Sequence, residues 1–159
     1  MRELLILRHA EAEPTGPAGG DLERPLSAHG ETQADTVGQW LREHDVLPDG
    51  IVCSPARRTR ATLERVAAAW APARIRTDYI DAIYEATPGQ LLAVLDNLDS
   101  DAERVLLVGH NPGLERLLAL LCEGRSNAFR GMPAAALARV QLHGPLEPGC
   151  GQLLFFHTS

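Results

Sequence analysis

Short apolar runs recur along the chain and predict β-strands. The clearest runs are continuous rather than alternating, as expected for strands that are buried on both faces of a sheet. The predicted strands are 4–7, 50–53, 74–77, 105–108, 137–142 and 153–156, of which 74–77 is the weakest.

Amphipathic segments with capping residues lie between the strands and predict helices. The predicted helices begin after Ser27, Ser54, Thr87 and Asn111, and the last three run to about Trp70, to Leu98 and to Cys122. Strands that alternate with helices imply right-handed crossovers between parallel strands. We therefore predict an α/β fold, a three-layer sandwich in which helices cover both faces of a mainly parallel central sheet.

Length and charge narrow the class of protein. The 159 residues predict a single domain, 1–159. The formal net charge is −6, which argues against nucleic acid or a membrane surface as a partner. All 15 basic residues are arginines, and the absence of lysine excludes Schiff-base chemistry and a P-loop.

The cysteines point to a reducing compartment. Cys53, Cys122 and Cys150 are widely spaced and form no CxxC pair, so neither a disulfide framework nor a zinc site is predicted. The first residues show no signal-peptide pattern, and no apolar run reaches the roughly 18 residues of a membrane span. We expect a cytoplasmic protein without a metal or another cofactor.

Polar side chains follow three of the predicted strands directly. Arg8 and His9 come after the first strand, Ser54 after the second and His110 after the run 105–108. Because ligands of open α/β sheets bind beyond the carboxyl ends of the strands, we expect these residues to meet in one crevice.

Two histidines and arginine side chains in one crevice suit phosphoryl transfer. A guanidinium binds two phosphate oxygens at once, and a neutral imidazole is a nucleophile towards phosphorus. A second imidazole can donate to the phosphoryl oxygens, as can the amides of the helices that follow Ser54 and Asn111. The neighbouring guanidinium charges are expected to lower the pKa of the nucleophilic imidazole.

The geometry of the helix after Ser54 predicts which of two neighbouring arginines faces the crevice. With Ser54 as the N-cap, Arg57 would be the third helical residue and Arg58 the fourth, about 100° apart around the axis. The apolar stripe through Leu63 and Val66 turns Arg58 towards the crevice and Arg57 towards solvent. Arg57 and Arg60 are therefore interpreted as a solvated face. The remaining histidines, which lack a strand-end setting, are interpreted as structural or surface residues: His29, His44, His143 and His157.

Three segments resemble the motifs of the histidine phosphatase superfamily. Residues 7–10, Leu-Arg-His-Ala, resemble its Arg-His-Gly motif with alanine in place of glycine. Residues 54–62, Ser-Pro-Ala-Arg-Arg-Thr-Arg-Ala-Thr, resemble its Ser-Pro-x-x-Arg-Ala-x-Gln-Thr segment. Residues 108–113, Val-Gly-His-Asn-Pro-Gly, match its second histidine segment. Further stretches resemble the small SixA-type branch, which implies a phosphoglycerate-mutase-like fold.

The resemblance implies a role for each site residue. His9 would be the nucleophile, and Arg8, Arg58 and His110 would form the phosphate pocket, to which we add Asn111 as a substrate-binding residue. Glu85 is the candidate proton donor by its order in the chain; Asp21 and Glu11 are weaker candidates.

The resemblance further implies a metal-independent phosphatase that acts on phosphohistidine in a phosphorelay or phosphotransfer protein. An imidazole leaving group needs less protonation than an alkoxide, and the chain between Arg58 and His110 is too short to build a lid, which predicts a shallow crevice. Two alternatives remain open: a small-molecule phosphomonoesterase and a phosphoprotein-binding module without turnover.

Overall fold

The computed structural model describes residues 1–15, 19–98, 101–128 and 131–159, and in this part of the chain one sheet holds six strands. The strands are β1 (Glu3–Arg8), β2 (Gly50–Cys53), β3 (Thr77–Tyr79), β4 (Arg104–Gly109), β5 (Leu137–Leu142) and β6 (Gly151–His157). The helices are α1 (Ala28–Glu43), α2 (Arg57–Ala68), α3 (Pro88–Asp96) and α4 (Gly113–Glu123). Within the described ranges, no helix combines the length and the apolar character that crossing a membrane requires.

The strand order is β3-β2-β4-β1-β5-β6. Strands β1 to β4 are mutually parallel; at one side of the sheet β5 pairs antiparallel to β1, and β6 pairs antiparallel to β5. The prediction of an α/β fold with a mainly parallel sheet is confirmed. The arrangement places the carboxyl ends of β2, β4 and β1 side by side.

Each face of the sheet has its own apolar core. In β1, Leu4 and Ile6 pack with residues of α3 and α4, and the alternate residues Leu5 and Leu7 pack with residues of α1 and α2. Because both sets are fully buried, the strand reads as a continuous apolar run. The predicted three-layer sandwich is thereby confirmed.

Two of the four helix starts are as predicted. The Ser27 hydroxyl accepts from the backbone N–H of Gly30 at 3.0 Å, and Thr87 forms a reciprocal capping box with Gln90. The other two starts were predicted too early. Helix α2 begins at Arg57, with the backbone N–H of Arg60 donating to the Ala56 carbonyl at 3.1 Å, and α4 begins at Gly113.

The third strand also lies later than predicted. It covers Thr77–Tyr79 instead of 74–77, because residues 77–79 are those that pair with β2. Ile75 packs against the core of α1 and α2, and the Arg76 carbonyl accepts from the backbone N–H of Ile51 at 3.0 Å. Pairing with the neighbouring strand, rather than local apolarity, sets this boundary.

Candidate active site

The two strand-end histidines meet at the sheet edge, as predicted. His9 follows β1 and His110 follows β4, two neighbouring parallel strands, and their ring centroids are 5.4 Å apart. Helix α2 is tied to the same place by Thr62. Its hydroxyl accepts from the backbone N–H of Ala10 at 3.0 Å and donates to the carbonyl of Arg58 at 2.7 Å.

A cavity of about 470 Å³ opens beside His110. Gly113 allows the start of α4 to approach the segment that precedes α3, since a Cβ at this position would lie 2.4 Å from the carbonyl oxygen of Ala86. Both segments form walls of the cavity. Its lining residues are Asp21, Arg58, Tyr84, Glu85, Ala86, Thr87, Pro88, His110, Asn111, Pro112, Gly113 and Arg116.

His9 is held with one ring nitrogen free. The ring is buried, and Nδ1 lies 2.7 Å from the carbonyl oxygen of Ala10. A carbonyl oxygen only accepts, so Nδ1 carries the hydrogen and Nε2 of the neutral ring keeps a lone pair. Burial is the main cause that lowers the pKa of His9 to about 4; the charges of Arg58 and Arg8 act in the same direction, and the hydrogen bond to the Ala10 carbonyl acts against them. The expected cause, guanidinium charge, is thus secondary to desolvation.

The His110 ring is bonded through Nε2, whereas the His9 ring is bonded through Nδ1. Its Nε2 lies 2.8 Å from the hydroxyl oxygen of Ser54, which explains why this hydroxyl does not cap α2 as predicted. Burial lowers the pKa of His110 to about 3, with Arg58 adding to the effect. Both site histidines are therefore neutral at physiological pH.

The two arginines of the predicted pocket are anchored by the ends of their side chains. Arg58 is 5% exposed and donates to the backbone carbonyl of Asp21 at 2.8 Å and to the Asp21 carboxylate at 3.1 Å. Arg8 donates to the Met132 carbonyl at 2.9 Å. Arg57 is exposed, so the predicted orientation of the two neighbouring arginines is confirmed although α2 begins three residues after Ser54.

Buried polar atoms without a hydrogen-bond partner collect at this sheet edge. Five side-chain nitrogens of this kind occur among the described residues, and three of them belong to the site: Arg8 Nε, Arg58 Nε and His110 Nδ1. Buried polar groups are almost always bonded, because an unmade hydrogen bond costs roughly 1–3 kcal/mol. Three such atoms in one place have the character of a site that binds an oxyanion.

Asp21 accepts hydrogen bonds from three groups around the cavity. Besides Arg58, these are the Tyr84 hydroxyl at 2.5 Å and Arg24 at 3.2 Å. The bond from Tyr84 lowers the pKa of Asp21 to about 2, helped by the two arginines, and the same bond raises the pKa of Tyr84 to about 12. Asp21 is therefore ionised at neutral pH, which removes it as a proton donor in this state.

Of the remaining predicted site residues, Glu85 and Asn111 line the cavity, and Glu11 lies beside the start of α1. Glu85 is exposed on the cavity wall with a left-handed backbone (φ 55°). Asn111 also lines the cavity, but its amide donates to the Met132 carbonyl at 2.7 Å and to the Glu115 carboxylate at 3.3 Å. Glu11 accepts from the Ser27 hydroxyl at 2.8 Å, at the start of α1. No group of three or more possible metal ligands occurs in the described ranges.

The low pKa values predict an unusual titration. Nuclear magnetic resonance of the imidazole rings should show His9 and His110 neutral down to about pH 5, whereas a free imidazole takes up a proton near pH 6.5. Because the unfolded chain binds these protons first, the free energy of unfolding should fall as the pH drops from about 6.5 towards 4. A midpoint near 6.5 for either ring would contradict the burial described above.

The sequence and the fold are similar to those of known proteins. The profile of the histidine phosphatase superfamily (branch 1) matches residues 4–91. A phosphohistidine phosphatase SixA homolog of Haemophilus influenzae is 33% identical over 142 residues, which are 82% of this chain and 83% of the relative. The crystal structure of a protein assigned as phosphohistidine phosphatase SixA from Agrobacterium tumefaciens superposes with a TM-score of 0.85 at 27% identity, covering 99% of this chain and 98% of that one. The protein histidine phosphatase SixA in complex with tungstate gives a TM-score of 0.82 at 25% identity, covering 97% and 95%.

Proposed function

The chain belongs to the histidine phosphatase superfamily, and from this membership we propose a two-step reaction in which a phosphoryl group passes to His9 and then to water. The Nε2 lone pair of His9 attacks phosphorus, forming an N–P bond as the bond to the leaving group breaks. The leaving group then takes a proton from solvent, which recovers one when water is consumed in the second step. Water attacks the phosphohistidine in the second step, which releases inorganic phosphate and restores His9.

The observation that carries this proposal is the set of three unpartnered buried nitrogens of Arg8, Arg58 and His110 around His9: the His110 ring centroid lies 5.4 Å from that of His9, and both arginine charges act on the His9 ring. Arg8 donates from Nη1, and Arg58 from Nη1 and Nη2, to groups within the protein, and each keeps its Nε–H for a ligand. With His110 they supply three donors for the phosphoryl oxygens, whose charge is stabilised in the transition state. We leave Asn111 out of this set, because its amide hydrogens are donated within the protein.

We propose phosphohistidine on another protein as the substrate. SixA-type relatives carry that activity in their names, and an imidazole leaving group has a near-neutral pKa, so it needs little help from an acid. The ionised Asp21 gives no such help. Between Arg58 and His110 the described residues form the rest of α2, β3, a short turn, α3 and β4, which leaves no separate element to enclose a small molecule.

A phosphomonoesterase is the second candidate, and the observation that favours it is Glu85. This carboxyl group stands on the cavity wall, where it can protonate an alkoxide. We also expect the protein to be cytoplasmic, in line with Cys53 and Cys150, which form no disulfide within the described residues.

Comparison of two substrate classes tests the proposed substrate. We expect kcat/KM for a phosphohistidine protein to exceed that for a panel of phosphomonoesters by about a hundredfold or more. Glu85→Gln should lower only the phosphomonoester rates, because only an alkoxide needs its proton. Faster phosphomonoester turnover that depends on Glu85 would establish the second candidate instead, and tight binding of the phosphoprotein without turnover would indicate a binding module.

A further inference from the structure

The Ser54 side chain is a buried hydroxyl with two neighbours among the described residues. It is fully buried at the end of β2, where its oxygen accepts from the backbone N–H of Ala56 at 3.3 Å and lies 2.8 Å from His110 Nε2. The backbone on both sides is fixed: the Ser54 N–H donates to the Val108 carbonyl at 3.1 Å, and its carbonyl accepts from the Thr59 hydroxyl at 2.7 Å.

The position of the proton between Ser54 and His110 follows from counting donors. A hydroxyl has one hydrogen, and no other acceptor for the Ser54 hydrogen is found in the described part of the chain. If His110 Nε2 were the donor, the buried hydrogen of the Ser54 hydroxyl would have no acceptor, which costs free energy. If Ser54 is the donor, its hydrogen is bonded and the neutral His110 ring carries its own hydrogen on Nδ1.

We propose that Ser54 is a positioning residue that fixes His110 in the tautomer with the proton on Nδ1. The Nδ1 atom is the buried nitrogen without a partner, so the fixed tautomer presents an N–H, rather than a lone pair, at the oxyanion site. The use of this N–H on phosphoryl oxygens rests on the proposed function; the assignment of the tautomer does not.

The two site histidines then present different groups to a ligand: His9 presents a lone pair and His110 presents an N–H. The Ala10 carbonyl takes the Nδ1 hydrogen of His9 and leaves a lone pair on Nε2. The Ser54 hydroxyl occupies the Nε2 lone pair of His110 and leaves the hydrogen on Nδ1. An accepting partner on one ring and a donating partner on the other make the first ring a nucleophile and the second a hydrogen-bond donor.

Long-range ¹H–¹⁵N correlation spectra of the protein with ¹⁵N-labelled histidine report the tautomer directly. We expect the wild-type His110 ring, assigned with a His110→Asn variant, to carry its proton on Nδ1. Ser54→Ala should give a mixture of tautomers and lower kcat about tenfold, and Ser54→Thr should restore both. Thr36→Val is the control, since it removes a hydroxyl that donates to the Thr32 carbonyl within α1 and does not contact Ser54 or His110, so the tautomer and kcat should stay unchanged.

Two results would overturn the proposal. One is a wild-type His110 that carries its proton on Nε2, and the other is a Ser54→Ala protein whose His110 tautomer is unchanged. Failure of the proposed function is a separate result: the wild-type protein would show the expected tautomer without phosphatase turnover, and the assignment of Ser54 would stand.

Discussion

His9→Ala should abolish turnover, with a loss of at least about a thousandfold in kcat, because it removes the atom that accepts the phosphoryl group. The other groups of the site would still bind the substrate, so KM should change much less. The fold should survive: the side chain lies just after the end of β1, and the hydrogen bond that its ring makes within the described residues is to the carbonyl of the next residue. Steady-state kinetics of the purified variant, with thermal unfolding to confirm folding, measures this loss.

His29→Ala is the matched control for this loss. His29 is exposed on α1, so its removal should leave kcat within about twofold of the wild type. A folded His9→Ala protein that keeps a tenth of the wild-type rate would rule out His9 as the nucleophile.

Arg58→Ala should lower kcat/KM by about a hundredfold or more, whereas Arg57→Ala should lower it by less than about fivefold. The buried Arg58 supplies a charge-assisted contact to the transferring phosphoryl group, worth about 2–4 kcal/mol. The exposed Arg57 makes one long contact, 3.4 Å to the Glu23 carbonyl, and is worth less than about 1 kcal/mol. Kinetics of both variants against one substrate gives the comparison.

Arg58→Lys separates charge from geometry. Lysine keeps the charge but not the fork that binds Asp21 and a phosphoryl oxygen together, so most of the loss should remain. A larger loss of kcat/KM for Arg57→Ala than for Arg58→Ala would show that Arg57, and not Arg58, binds the phosphoryl group.

The choice between these arginines was available from the sequence. Successive helical residues differ by about 100° around the axis wherever the helix begins, so the error in the start of α2 left the orientation of Arg58 unchanged. The meeting of His9 and His110 was equally predictable, because the carboxyl ends of neighbouring parallel strands share one edge.

Contacts between distant parts of the chain were not predictable. Asp21 meets Arg58 and Tyr84 across 37 and 63 residues, and no local pattern specifies such pairs. The role of Ser54 was hidden for a different reason: a serine before proline at the end of a strand is a typical N-cap, and the sequence alone does not show that its hydroxyl turns to His110. The burial that lowers the pKa values of both histidines is likewise a property of the packed site.

Trapping the covalent intermediate tests the central claim most directly. The protein is mixed rapidly with a phosphohistidine donor protein carrying radioactive phosphate, quenched in alkali and digested for peptide mapping. We predict an acid-labile, alkali-stable phosphate on the peptide that contains His9, formed in a burst before steady-state release of inorganic phosphate and absent from His9→Ala. Turnover without any phosphorylated enzyme, or with the phosphate on a peptide other than that of His9, would contradict the account.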